Sequence, residues 1–132
     1  MSYESFLLVM SQLAGNKKAR VVVQDNVIFF EKSDKEDSLT LYTQVYLGED
    51  GLPNSVRACV PSSGLLRWQC NGAYLKLDPL SHSVYLFEEI PMEEGKYIPF
   101  RHHLSRFSNA VNEWKEILQE IADRDSASNR IF

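Results

Sequence analysis

Leu39-Thr40-Leu41-Tyr42-Thr43-Gln44-Val45-Tyr46-Leu47 alternates without a break. Successive side chains of a strand point to opposite faces, so Leu39, Leu41, Thr43, Val45 and Leu47 share one face while Thr40, Tyr42, Gln44 and Tyr46 share the other. With tyrosines on the second face, neither is polar enough to be left to water. A sheet built from such strands needs cover on both sides.

One cover is written near the C-terminal end. Leu104, Phe107, Val111, Trp114, Leu118 and Ile121 step by three and four residues, which puts them on one stripe of a helix expected over Phe100–Asp123. The heptad-like steps last too few turns for an independent coiled coil, so the stripe packs on the sheet. One helix covers one face only. The other face, with Tyr42, Tyr46, Tyr74, Tyr85 and Phe87, is left either to a second protein chain or to the loops and the middle of this one.

The remaining elements follow from the same rules. Tyr3, Phe6, Leu7, Met10 and Leu13 recur at helical spacing, with Ser2 as cap, Glu4 at the positive end and Gly15-Asn16 as stop. The polar side of this helix lacks the basic residues of a membrane-surface helix. Arg20–Gln24 and Val27–Glu31 form a hairpin about the turn pair Asp25-Asn26, apolar on both sides. Residues 32–37 read as a solvated loop. Gly48-Glu49-Asp50-Gly51 turns the chain into a returning strand over Ser55–Val60, with Val56, Ala58 and Val60 inward. Leu65–Cys70 is too short for periodicity to decide between helix and strand. Ala73–Asp78 and Val84–Ile90 complete the strands, and the polar stretch Asp125–Phe132 is expected to fray. The whole is an α+β fold in a single domain over 1–132: an antiparallel twisted sheet of about five strands with an N-terminal helix and a long C-terminal helix packed on it.

Composition narrows the function. The chain has 132 residues, 44% hydrophobic, with 14 Lys+Arg against 18 Asp+Glu and a net charge of -4, which disfavours direct nucleic-acid binding. No run approaches the ~20 apolar residues that span a bilayer, and nothing resembles a signal peptide, so the expected place is the cytoplasm. Cys59 and Cys70 match no zinc or redox spacing and read as reduced interior thiols.

The sequence carries no recognisable catalytic or metal-binding motif. His82 stands alone in a turn, and the adjacent His102-His103 point about 100° apart on a helix, so they do not share a metal. Glu88-Glu89 and Glu93-Glu94 read as solvated acids rather than a converging acid/base pair. The expectation is therefore no enzyme, no catalytic residue, no metal and no cofactor; a small α+β enzyme fold lacks its acid and base here. Arg101, His102, His103 and Arg106 form one local basic patch, read either as a contact for an acidic partner or nucleic acid or as a solvated face with local ion pairs to Glu93 and Glu94.

The stretch Ala73-Tyr74-Leu75-Lys76-Leu77-Asp78, continued by Ser83-Val84-Tyr85-Leu86-Phe87 and the stripe of Phe100 to Ile121, resembles the small acidic class I chaperones of bacterial type III secretion. The resemblance, which extends to chlamydial members specific for an effector or gatekeeper, implies a dimeric chaperone that works without ATP. Such a chaperone binds an extended segment near the N-terminus of a secreted client and keeps it soluble and secretion-competent. By position, Phe6, Met10, Val21, Val23, Ile28 and Phe30 correspond to the client groove, and Leu65, Leu66, Trp68 and Tyr74 to the interface with a second copy or a related subunit. The family's middle helix is cut short here by Asn71-Gly72, which leaves homodimer and heterodimer both open. A second reading is a transcription-modulating adaptor that binds an RNA polymerase or sigma subunit through Arg101, His102, His103 and Arg106.

Overall fold

A computed structural model describes residues 1–33, 38–60, 72–78, 80–91 and 96–130, with side chains through residue 126. In chain order the elements are α1 (Tyr3–Asn16), β1 (Lys18–Val23), β2 (Asn26–Lys32), β3 (Ser38–Leu47), α2 (Asn54–Arg57), β4 (Tyr74–Asp78), β5 (Ser83–Pro91) and α3 (Tyr97–Arg130). The strands make one five-stranded antiparallel sheet in the order β1-β2-β3-β5-β4. This is the α+β arrangement that the alternation and the two apolar helices predict.

The chain divides into two compact units, Met1–Thr43 with Phe87–Asn109, and Gln44–Leu86 with Ala110–Phe132. The first is built around aromatic packing. Phe6 meets Tyr97 and Phe100 edge-on, each at 5.3 Å between ring centres, and Phe100 stacks on Phe30 at 5.7 Å. Ser2 caps α1 by accepting the Ser5 N–H at 3.1 Å, as the sequence predicts. The stop differs from the expected Gly15-Asn16: Lys17 takes the left-handed conformation at φ 60° and returns its N–H to the Leu13 carbonyl. The buried face of α1 is Phe6, Val9 and Leu13, while Leu7 and Leu8 are exposed. The helix is thus rotated from the expected stripe, because a run of five apolar residues from Phe6 to Met10 lets packing choose the face.

In the second unit the inward residues of the sheet are Val45, Leu75, Val84 and Leu86, joined by Val111 and Leu118 of α3. Two expectations fail. Ser55–Val60 is not a strand: Pro53, at φ -57°, caps the four-residue helix α2, and Val56 alone anchors the segment in the interior. The last helix also runs past Asp123 to Arg130, with no breaker on the way and Arg124 paired to Glu120 at 2.9 Å. Pro99 sits in its first turn, where a missing N–H costs nothing. Gly48 is required by close approach, since a Cβ there would strike the Gly51 carbonyl oxygen.

Candidate functional site

The hairpin of β1 and β2 turns through Gln24 and Asp25, both at positive φ (52° and 64°), one position before the expected Asp25-Asn26. Two such residues in sequence make the turn whose twist matches a two-residue hairpin. The register then places Ala19 opposite Phe30, Val21 opposite Ile28 and Val23 opposite Asn26 on one face. On the other face Lys18 opposes Glu31, Arg20 opposes Phe29 and Val22 opposes Val27.

The two faces differ in burial. Ile28 and Phe30 are fully buried and Phe6 is 3% exposed, so these three predicted client residues are core side chains of the first unit. Val21 and Val23 share their face and are half-buried; Met10, also half-buried, lines a small hollow with Leu39, Ile90, Phe100 and His103. The exposed apolar pair is Val22 (66%) with Val27 (40%), on the outer face. Strict alternation was the signal for this, because it assigns Val22 and Val27 to the face opposite Ile28 and Phe30.

The outer face continues across the sheet as a ladder of rings. Phe29 of β2 stacks on Tyr42 of β3 at 5.4 Å and 17°, and Tyr42 stacks on Phe87 of β5 at 5.4 Å and 16°. All three are half-buried. Next to Phe29 an open groove of about 390 Å³ is lined by Gln12, Asn16, Lys18, Ala19 and Arg20.

β1 lies at the sheet edge. The Lys32 N–H donates to the Lys17 carbonyl at 2.8 Å, and this phase turns the main-chain groups of Lys18, Arg20 and Val22 to the free side of the strand. The Arg20 N–H there donates to Gln12 Oε1 at 3.3 Å. The edge is therefore able to pair with an acceptor from outside the sheet, and the exposed Val22 side chain stands beside it.

Of the predicted interface residues, Leu65, Leu66 and Trp68 lie outside the described residues, and so does Cys70. Tyr74 is buried, with the Lys76 ammonium 5.4 Å from its ring centre. Cys59 is half-buried; burial pushes its thiol up, and its Sγ donates to the Ser55 carbonyl at 3.4 Å.

The basic patch is not a uniform surface. Arg101 and His102 are exposed, but Arg106 turns back to β5, where its Nη2 lies 3.4 Å from Glu88 Oε1 and 3.0 Å from His103 Nδ1. Glu88, expected to be solvated, is 4% exposed. It shares the inward phase of Val84, Leu86 and Ile90 on β5, which overrides its polarity. Burial pushes its carboxyl above the ordinary glutamate value, against the opposing pull of the Arg106 charge. Glu93 and Glu94, the other candidate partners, lie outside the described residues. Among the described residues no group of His, Cys, Asp and Glu could hold a metal ion, and no helix is long and apolar enough to cross a membrane.

No protein-family model matches the sequence, and no curated protein matches it. Solved structures do match the fold. A chain of the HopA1-SchA chaperone-effector complex is 14% identical at a TM-score of 0.59, over 86% of this chain and 93% of that one. A chain of the ExsC-ExsE complex is 15% identical at 0.64, over 89% and 97%. A chain of the ExoT-SpcS complex from Pseudomonas aeruginosa is 15% identical at 0.50, over 86% and 98%. At these identities the likeness is one of fold.

Proposed function

We propose that this chain is a type III secretion chaperone of the bacterial cytoplasm, which binds an extended segment near the N-terminus of a secreted client and keeps it soluble and competent for secretion. The observation that carries the reading is the exposed Val22–Val27 pair on the outer face of an edge hairpin whose free side presents main-chain donors and acceptors. An extended segment gains main-chain hydrogen bonds at such an edge and places alternate side chains on the apolar face beside it. Support comes from the shared fold with the HopA1-SchA chaperone-effector complex. Binding by these means requires neither nucleotide nor metal.

The client surface is thereby moved from Phe6, Ile28 and Phe30, which hold the core, to Val22, Val27 and Phe29. We further propose that a second copy or a related subunit joins through Leu65, Leu66 and Trp68. The adaptor reading has less support, since of its four residues Arg106 is engaged by Glu88 and His103 is half-buried against Arg106.

The test is co-purification of the secreted client from the native cell with Val22→Asp, Val27→Asp and Phe30→Asp. The first two should lose the client while keeping the wild-type circular dichroism and urea midpoint; the third should unfold. Full client retention by both folded outer-face variants refutes the assignment, and recovery of polymerase in place of a secreted protein favours the adaptor.

A further inference from the structure

Glu88 is the buried acid of the described core, and one of its oxygens, Oε2, is buried without a hydrogen-bond partner. Its other oxygen is 3.4 Å from Arg106, long for a charge-assisted pair, which ordinarily closes to about 2.7–2.9 Å. Arg106 itself is 51% exposed and divides its Nη2 between Glu88 and His103. An ionised carboxylate held this way is expensive unless its cation stays in place.

The other groups around it do not substitute for Arg106. The core-facing residues of β3 (Leu39, Leu41, Thr43), of the hairpin (Ala19, Asn26, Ile28, Phe30) and of α1 (Phe6, Val9, Leu13) carry no charge. On β5 the neighbouring Glu89 is exposed. On α3, Arg101 and His102 are exposed, and His103 contacts Arg106. Lys96 lines the same hollow as His103, and Glu93 and Glu94 precede α3 outside the described residues.

We propose that Glu88 and Arg106 form a proton-coupled pin between β5 and α3: Arg106 is needed to hold the helix on the strand when Glu88 is ionised and becomes dispensable when Glu88 takes up a proton. The sign follows from burial, which makes the folded chain hold the Glu88 proton more firmly than the unfolded chain. Stability from this group is therefore present at low pH and declines as the pH rises from the ordinary glutamate value through the raised one. Removal of Arg106 extends that decline, because the ionised acid is then buried with no cation. His103 modulates the pin, since its Nδ1 accepts from Arg106 only while unprotonated; a protonated ring pushes the guanidinium away.

The experiment is a urea-unfolding cycle of wild type, Arg106→Ala, Glu88→Gln and the double variant at pH 5 and pH 7.5, repeated in a His103→Gln background, with the Glu88 carboxyl followed by carbon NMR. Arg106→Ala should raise the unfolding constant about tenfold more at pH 7.5 than at pH 5, and Glu88→Gln should remove that difference. In the NMR titration Glu88 should bind its proton at higher pH in Arg106→Ala than in wild type. An Arg106→Ala effect that is equal at both pH values, or that survives in Glu88→Gln, overturns the proposal; so does an unchanged Glu88 titration.

Discussion

The Ser108 hydroxyl, fully buried on α3, donates to Gln24 Oε1 at 2.9 Å and so ties the long helix to the tip of the hairpin. The bond joins residues 84 apart in the sequence and ends on a residue held at positive φ, where an ordinary side chain is strained. The turn that sets the register of the outer face is thus held from the core side.

Ser108→Ala should destabilise the chain by about 1 kcal/mol and loosen the hairpin selectively. Native-state hydrogen exchange checks this: amides of Val23 and Asn26 should exchange faster while those of β3 stay protected.

Along α3 the burial of the apolar stripe is uneven. Phe107 and Leu118 are fully enclosed, whereas Trp114 and Ile121 are only half-buried. Phe107→Ala should cost about 3–5 kcal/mol in urea unfolding. Trp114→Ala should cost roughly half as much, since half-exposed area returns less to water. Equal costs would contradict the exposures.

Gly48→Ala should destabilise by on the order of 1–3 kcal/mol through overpacking against the Gly51 carbonyl. Ser38→Ala, at the other end of β3 and half-buried, serves as the comparison in thermal unfolding and should be nearly silent.

Cys59 should react slowly with iodoacetamide, because burial raises its thiol and only the thiolate attacks. In a Cys70→Ser variant the reaction should speed up as the pH rises past the ordinary cysteine value, and denaturant should bring it to the rate of a free thiol at neutral pH.

Periodicity disclosed most of the architecture. Leu39, Leu41, Thr43 and Val45 are all buried, as their alternation predicts, and Leu104, Phe107, Val111 and Leu118 form the enclosed side of α3. It failed where several faces satisfy the same pattern. In Phe6-Leu7-Leu8-Val9-Met10 every helical face is apolar, and tertiary packing selected Val9 over Leu7. In Ser55–Val60 three small apolar residues alternate, yet Pro53 and a single anchor, Val56, give a short helix. Of the residues expected to meet a client, Phe6 and Met10 stand on α1, and Val21, Val23, Ile28 and Phe30 all share the inner face of the hairpin, where Ile28 and Phe30 are core; the alternation that puts Val22 and Val27 on the other face is equally legible in the sequence. For Glu88 the information was present in the phase of Val84, Leu86 and Ile90 and was outweighed by the expectation that acids are solvated.

The spacing of the ring ladder has a consequence for what can lie against it. Phe29 to Tyr42 and Tyr42 to Phe87 are each 5.4 Å between centres, and an α-helix rises about 5.4 Å per turn. A helix laid across β2, β3 and β5 meets one ring per turn, so its own apolar side chains would recur at i, i+3 or i+4, and i+7. A strand running the same way advances about 6.8 Å for each pair of residues and falls out of step by the second ring. The spacing of the ladder thus matches the pitch of a helix and not the two-residue repeat of a strand, whereas the outward main-chain groups of β1 match a strand.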